Sequence, residues 1–160
     1  MTETSLEKLK KKYEELKTKH NLPSFQQLNE DFEIEKLQER ETDTLSREVR
    51  RCITDRIITY IRFVEMFMNP ANAPMFFLAL VKGLDESEKK LLHELYSELG
   101  KFEIKSISLD NEYEEARDAK FIKESFDDWQ KIKSKFGKIL DSFEKAWEKK
   151  SAKKDTAYLG

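Results

Sequence analysis

Enzymatic chemistry needs nucleophiles, acid–base groups or metal ligands gathered in one place, and this chain offers few of them. It contains two histidines, His20 and His93, and one cysteine, Cys52. Neither histidine has a metal-binding spacing. A di-iron helical bundle needs Glu three residues ahead of His, and Lys90 holds that place before His93. His93 falls off the Leu91, Leu95, Leu99 face and reads as solvated, whereas His20 closes an apolar stripe and reads as a helix-terminal residue. Cys52 lies on the apolar side of its helix, where a thiol packs as a small hydrophobe rather than acting as a nucleophile. Asp127 and Asp128 invite a magnesium reading, but adjacent helical positions point about 100° apart, so they read as a solvated face. The sequence has no glycine-rich phosphate loop and no zinc-type cysteine pair. The expectation is a non-enzymatic protein, with no catalytic residue, metal or cofactor.

Arginines give a stronger signal. Arg47, Arg50 and Arg51 are three and four residues apart, so they share a helical face, which Arg40 or Arg56 could extend. Guanidinium forks match phosphate oxygens, so the set is a candidate contact for RNA or a ribosomal surface. Glu48 and Asp55 lie beside it, and ion pairs within and between helices are the plainer reading. Lys8, Lys10, Lys11 and Lys12 are interleaved with glutamates such as Glu7, Glu14 and Glu15 and read mainly as a solvated face.

The elements that would carry these residues are helical. Leu6, Leu9, Tyr13, Leu16 and His20 form one stripe, opened by a Thr4–Glu7 capping box and closed at Asn21-Leu22-Pro23. Ser24 and Gln27 form a second box ahead of Phe25, Leu28 and Phe32, and the phase slips between Ile34 and Arg40. A third helix is expected over about 43–68, amphipathic at first and apolar in nearly every direction from Ile57 onward. Pro70 and Pro74 break the chain, and residues 75–81 read as the most buried short helix. Asp85 and Glu88 open a helix through Leu99, with a possible kink at Gly100 and an ambiguous helical pattern from Phe102 to Leu109. Asn111 and Glu114 are expected to cap the last helix.

That last helix has the longest regular pattern. Ala119, Ile122, Phe126, Trp129, Lys133, Phe136, Leu140, Phe143 and Trp147 fall on heptad a and d positions. A continuous helix over about 111–150 would span ~60 Å, against a diameter of roughly 40 Å for a compact chain of this length. Either the helix breaks, with Gly137 as the favoured place, or its end projects and needs a partner. Residues 110–130 hold eight acids against three bases, and residues 131–154 hold nine bases against three acids. This polarity suits the helix macrodipole, and it also suits an antiparallel copy of the same helix. Residues 24–44, with seven acids against two bases, could instead meet the basic half within one chain. Trp129, Phe136, Leu140, Phe143 and Trp147 are therefore candidates for partner binding, with the surface from Phe63 to Phe77 as a second choice. An ordinary core stripe with a solvated outer face is the plainer reading.

Composition sets the outer bounds. The chain has 160 residues, 38% hydrophobic and 39% charged, with a formal net charge of -2. Near-neutrality argues against a general coat for DNA or a polybasic membrane binder. Four glycines and three prolines are too few turn-formers for a sandwich, a barrel or a many-stranded α/β fold. One cysteine rules out an internal disulfide framework and is ordinary for a reducing compartment. The chain shows no apolar signal core and no lipidation motif. The apolar run from Met75 to Val81 is far short of the ~20 residues that span a bilayer. The expectation is a cytoplasmic, all-α bundle of five or six helices over residues 1–150, centred on Ile57 to Val81. It would have a long, coiled-coil-like C-terminal helix and a flexible tail over 151–160. The expected function is a protein-interaction or scaffold module that self-associates as a homodimer through the last helix. An RNA- or ribosome-associated factor using Arg47, Arg50 and Arg51 is the alternative.

Overall fold

The computed structural model describes residues 2–157, with side chains described through residue 153. The described residues contain helices and no strand. In chain order the α-helices are α1 (Ser5–His20), α2 (Phe25–Phe32), α3 (Leu45–Met68), α4 (Met75–Val81), α5 (Glu86–Asp110) and α6 (Glu115–Ala157). Short 3-10 helices at Ile34–Glu39 and Pro70–Asn72 follow α2 and α3. No helix among the described residues is long and apolar enough to cross a membrane.

The local signals explain most of these boundaries. Thr4 and Glu7 close a reciprocal capping box at the start of α1, and Ser24 and Gln27 do the same for α2. The Asp85 carboxylate accepts from the Glu88 backbone N–H at 2.8 Å at the start of α5. Asn21 caps the C-terminus of α1 and Glu33 that of α2, both in the left-handed region, with φ of 53° and 54°. The phase slip after Phe32 is this reversal at Glu33. It starts a 3-10 helix, so that Phe32 and Ile34 can both be buried.

α5 runs through Gly100 to Asp110, so the helix expected over Phe102 to Leu109 is present; a glycine lowers helix propensity without removing the backbone N–H. Two expectations need correction. Asn111 does not cap α6, which starts at Glu115 with Glu114 accepting from the Asp118 N–H at 3.1 Å. α6 also passes Gly137 unbroken and continues through 151–157, where no Gly or Pro interrupts it. Residues 158–160 of the expected flexible tail lie outside the described residues.

The chain forms two compact units, each discontinuous in sequence. The first comprises residues 1–59 and 101–129. Its core takes Tyr13 and Leu16 from α1, Leu28 and Phe32 from α2, Ile53 and Ile57 from α3, and Phe121, Ile122 and Trp129 from α6. Tyr13 donates its hydroxyl to the Pro23 carbonyl at 2.6 Å, and Phe32 packs on Trp129 with ring centres 5.5 Å apart.

The second unit comprises residues 60–100 and 130–160. Ile61, Val64 and Phe67 of α3 are buried there with Leu92, Leu95 and Leu99 of α5, and with Ile132, Phe136, Ile139 and Phe143 of α6. An aromatic cluster knits this core. Phe67 stacks on Phe143 at 4.5 Å, and Tyr60 meets Phe136 edge-on at 4.7 Å. Phe63 lies against Phe67, Phe77, Phe136 and Phe143. The second half of α3 is not enclosed on all sides, since Arg62 and Glu65 are exposed and Tyr60, Phe63 and Met66 are half-buried.

Candidate functional site

The arginine set does not form a phosphate-facing patch. Arg50 was expected to point outward, yet it is 0% exposed. Its Nε donates to Asp118 Oδ1 at 2.7 Å and its Nη1 to Ser106 Oγ at 2.6 Å, and Nη2 pairs with Asp110. The reason is the pattern of the facing helices. Ser106 and Asp110 are one turn apart on α5, and Asp118 is in the first turn of α6, so three acceptor residues converge on one guanidinium. Arg47 lies over the Tyr113 ring at 5.1 Å. Arg51 stays exposed, with Glu48 at 3.4 Å and Asp110 at 3.7 Å. Arg56 faces Glu33 at 3.1 Å, and Arg40 faces Glu48 at 3.4 Å. Burial pushes the Asp118 carboxyl above its ordinary range against the pull of Arg50, whereas the hydrogen bond from Arg50 holds Asp110 below it.

His20 sits 2.8 Å from Glu115 through Nε2, and Lys19 reaches the same carboxylate oxygen at 2.7 Å. His93 is exposed. Cys52 is buried, and desolvation pushes its thiol up to about 11, far from a thiolate near neutral pH. Among the described residues, no group of three or more His, Cys, Asp or Glu side chains is placed to hold a metal ion.

The α6 stripe divides in two. Trp129, Phe136 and Phe143 were candidate partner contacts, but they are buried within their own units. Their spacing therefore serves the intramolecular core, and Ile132 and Ile139 widen the same buried face. Leu140 and Trp147 are the candidates that remain outside, each 43% exposed. They are seven residues apart, two helical turns, and so lie on one side of α6.

α4 supplies the rest of that surface. Its run Met75-Phe76-Phe77-Leu78-Ala79-Leu80-Val81 was expected to be the most buried short helix, but only Leu80 is buried. Two turns of helix present side chains in all directions, and a seven-residue element cannot enclose them all. Phe77 turns toward Phe63 and Phe67. Met75 is 79% and Phe76 48% exposed. The Phe76 ring rests on the Trp147 ring at 4.9 Å, which joins α4 to the C-terminal part of α6. Below them the turn after α4 approaches α6 closely: a Cβ on Gly83 would lie 2.6 Å from the Ala146 Cβ.

Beside this contact runs an open groove of about 570 Å³, floored by Met75, Leu78 and Ala79 of α4 and Ala146 of α6. Lys82, Lys145, Lys149, Lys150 and Lys153 rim it, and Glu88 is its one acidic lining residue. The groove was not legible in the sequence, because the apolar run signalled burial. The available clue was the pair of prolines that isolates residues 75–81 as a short helix too small to be wrapped. No known protein family matches the chain, and neither the curated proteins nor the solved structures include a match.

Proposed function

We propose that this chain is a non-enzymatic helical interaction module that holds a protein partner on the surface shared by α4 and the C-terminal part of α6. The observation that carries this reading is the exposure of Met75, Phe76, Leu140 and Trp147 on those two helices. Large apolar side chains held together at a surface mark interaction sites, and Trp is the residue type most enriched among binding hot spots. Met adds an adaptable contact suited to recognition.

A narrower surface than the full heptad stripe supports this reading. Trp129, Phe136 and Phe143 belong to the core, so of the five partner-binding candidates a coiled-coil seam would keep Leu140 and Trp147. A seam of two side chains is small for a stable self-pairing interface. A different protein is the favoured occupant.

The test is affinity capture from the native cell with the wild-type chain and a Met75→Ser/Phe76→Ser/Trp147→Ser variant, compared by quantitative mass spectrometry. A partner retained by the first and lost by the second, with helicity and thermal midpoint preserved, supports the module. Identical retention by both rejects it.

A further inference from the structure

We infer that the groove between α4 and α6 recognises an acidic amphipathic helix; this rests on the interaction reading above and names the chemistry of the partner. The floor of Met75, Leu78, Ala79 and Ala146 is apolar and about 570 Å³ in volume, room for the side chains of a helix laid on its apolar face. Lys145, Lys149 and Lys153 follow one another at four-residue intervals along α6, which makes a row of positive charge down one edge. Lys150 and Lys82 add to the rim. Among the described residues Lys82, Lys145, Lys149 and Lys150 make no ion pair, although the chain pairs Lys135, Lys105 and Lys89 with nearby glutamates. An apolar floor beside a basic edge, on which Lys82, Lys145, Lys149 and Lys150 make no ion pair among the described residues, complements a helix that has leucine-like residues on one side and Asp or Glu on the other.

The floor and the lysine row together separate this occupant from others. A peptide helix supplies carboxylates for the lysines and apolar side chains for the floor. A fatty acyl chain offers no row of carboxylates to the lysines, and a phosphodiester backbone offers little apolar area to the floor. The acidic segment of this chain, residues 24–44, has no apolar face to offer such a floor, because its Leu28, Phe32, Ile34 and Leu37 are buried in their own unit.

The experiment uses the full chain and a labelled synthetic helix of about 18 residues, with Leu on one face and Glu on the other, followed by fluorescence anisotropy. Saturable binding is expected, with Kd rising at least about tenfold in a Lys145→Glu/Lys149→Glu variant and again when salt is raised. A Lys8→Glu/Lys11→Glu variant on α1 should bind like the wild type, and circular dichroism checks that each variant is folded. Equal affinity for the scrambled Glu peptide or for a Lys-for-Glu peptide overturns the inference. So does an unchanged Kd in the α6 variant, or preferential binding to phosphatidylglycerol vesicles or to single-stranded RNA. If the captured cellular partner depends on Met75, Phe76 and Trp147 but not on the lysines, the acidic class falls and the module stands. If it depends on neither, both fall.

Discussion

Arg50 and Asp118 form a fully buried ion pair, with Nε donating to Oδ1 at 2.7 Å. Asp118 Oδ2 accepts no hydrogen bond, so the carboxylate is held on one side only, which is why burial outweighs the arginine in setting its proton affinity. Removing one member strands the other. Arg50→Ala should cost about 3–5 kcal/mol in denaturant-unfolding stability, whereas Arg50→Met combined with Asp118→Leu should recover most of the loss. A small loss in the single variant would show that the pair contributes little.

Acid should weaken the fold partly through Glu115. The hydrogen bond from His20, and then that from Lys19, hold this carboxyl below its ordinary value of 4.5. A depressed folded-state value contributes stability above the unfolded value and loses it as pH falls. Glu115→Gln should therefore be less stable at neutral pH and lose less between about pH 5 and about pH 3. Asp110, lowered by Arg50, adds in the same sense, and Asp118, raised by burial, acts in the opposite one. Thermal melts across this range measure the difference; parallel curves would remove the Glu115 contribution.

Much of the fold is legible in the residues. Thr4–Glu7 and Ser24–Gln27 mark two helix starts, and Asn21-Leu22-Pro23 marks an end, because capping is local chemistry. Arg50 and residues 75–81 are misread for one shared reason. Burial depends on what the facing helices carry: three convergent acceptor residues draw a charged side chain in, and a short helix cut off by Pro70 and Pro74 on its N-terminal side leaves apolar side chains out. Periodicity along one element contains neither fact. The charge reversal along α6 is visible in sequence, but the groove that its lysines edge is not.

Glycine positions test the packing of α6 and α5 directly. A Cβ at Gly137 or Gly100 would meet no atom within 4 Å. Gly137→Ala and Gly100→Ala should each stabilise by about 0.4–1 kcal/mol, through reduced unfolded-state entropy and better helix propensity. Gly83→Ala should destabilise, since its new methyl would sit 2.6 Å from the Ala146 Cβ. Thermal midpoints of the three variants decide this, and a stabilised Gly83→Ala would mean the turn is not pressed on α6.

The two tryptophans should behave differently. Trp129 is buried against Phe32, and Trp147 is half-exposed over Phe76. Trp129→Ala should cost roughly 3–5 kcal/mol of folding stability, while Trp147→Ala should cost far less and remove the red-shifted part of the emission. A comparable loss in both would place Trp147 in the core.

The sorting of α6 side chains into an inner row, with Phe136 and Phe143, and an outer row, with Leu140 and Trp147, carries an evolutionary consequence. The inner row is constrained by the architecture whatever the protein associates with. The outer row can drift without unmaking the scaffold. Were it the binding surface proposed above, lineages could exchange one associate for another by rewriting a handful of outer positions on a helix whose regular appearance never changes.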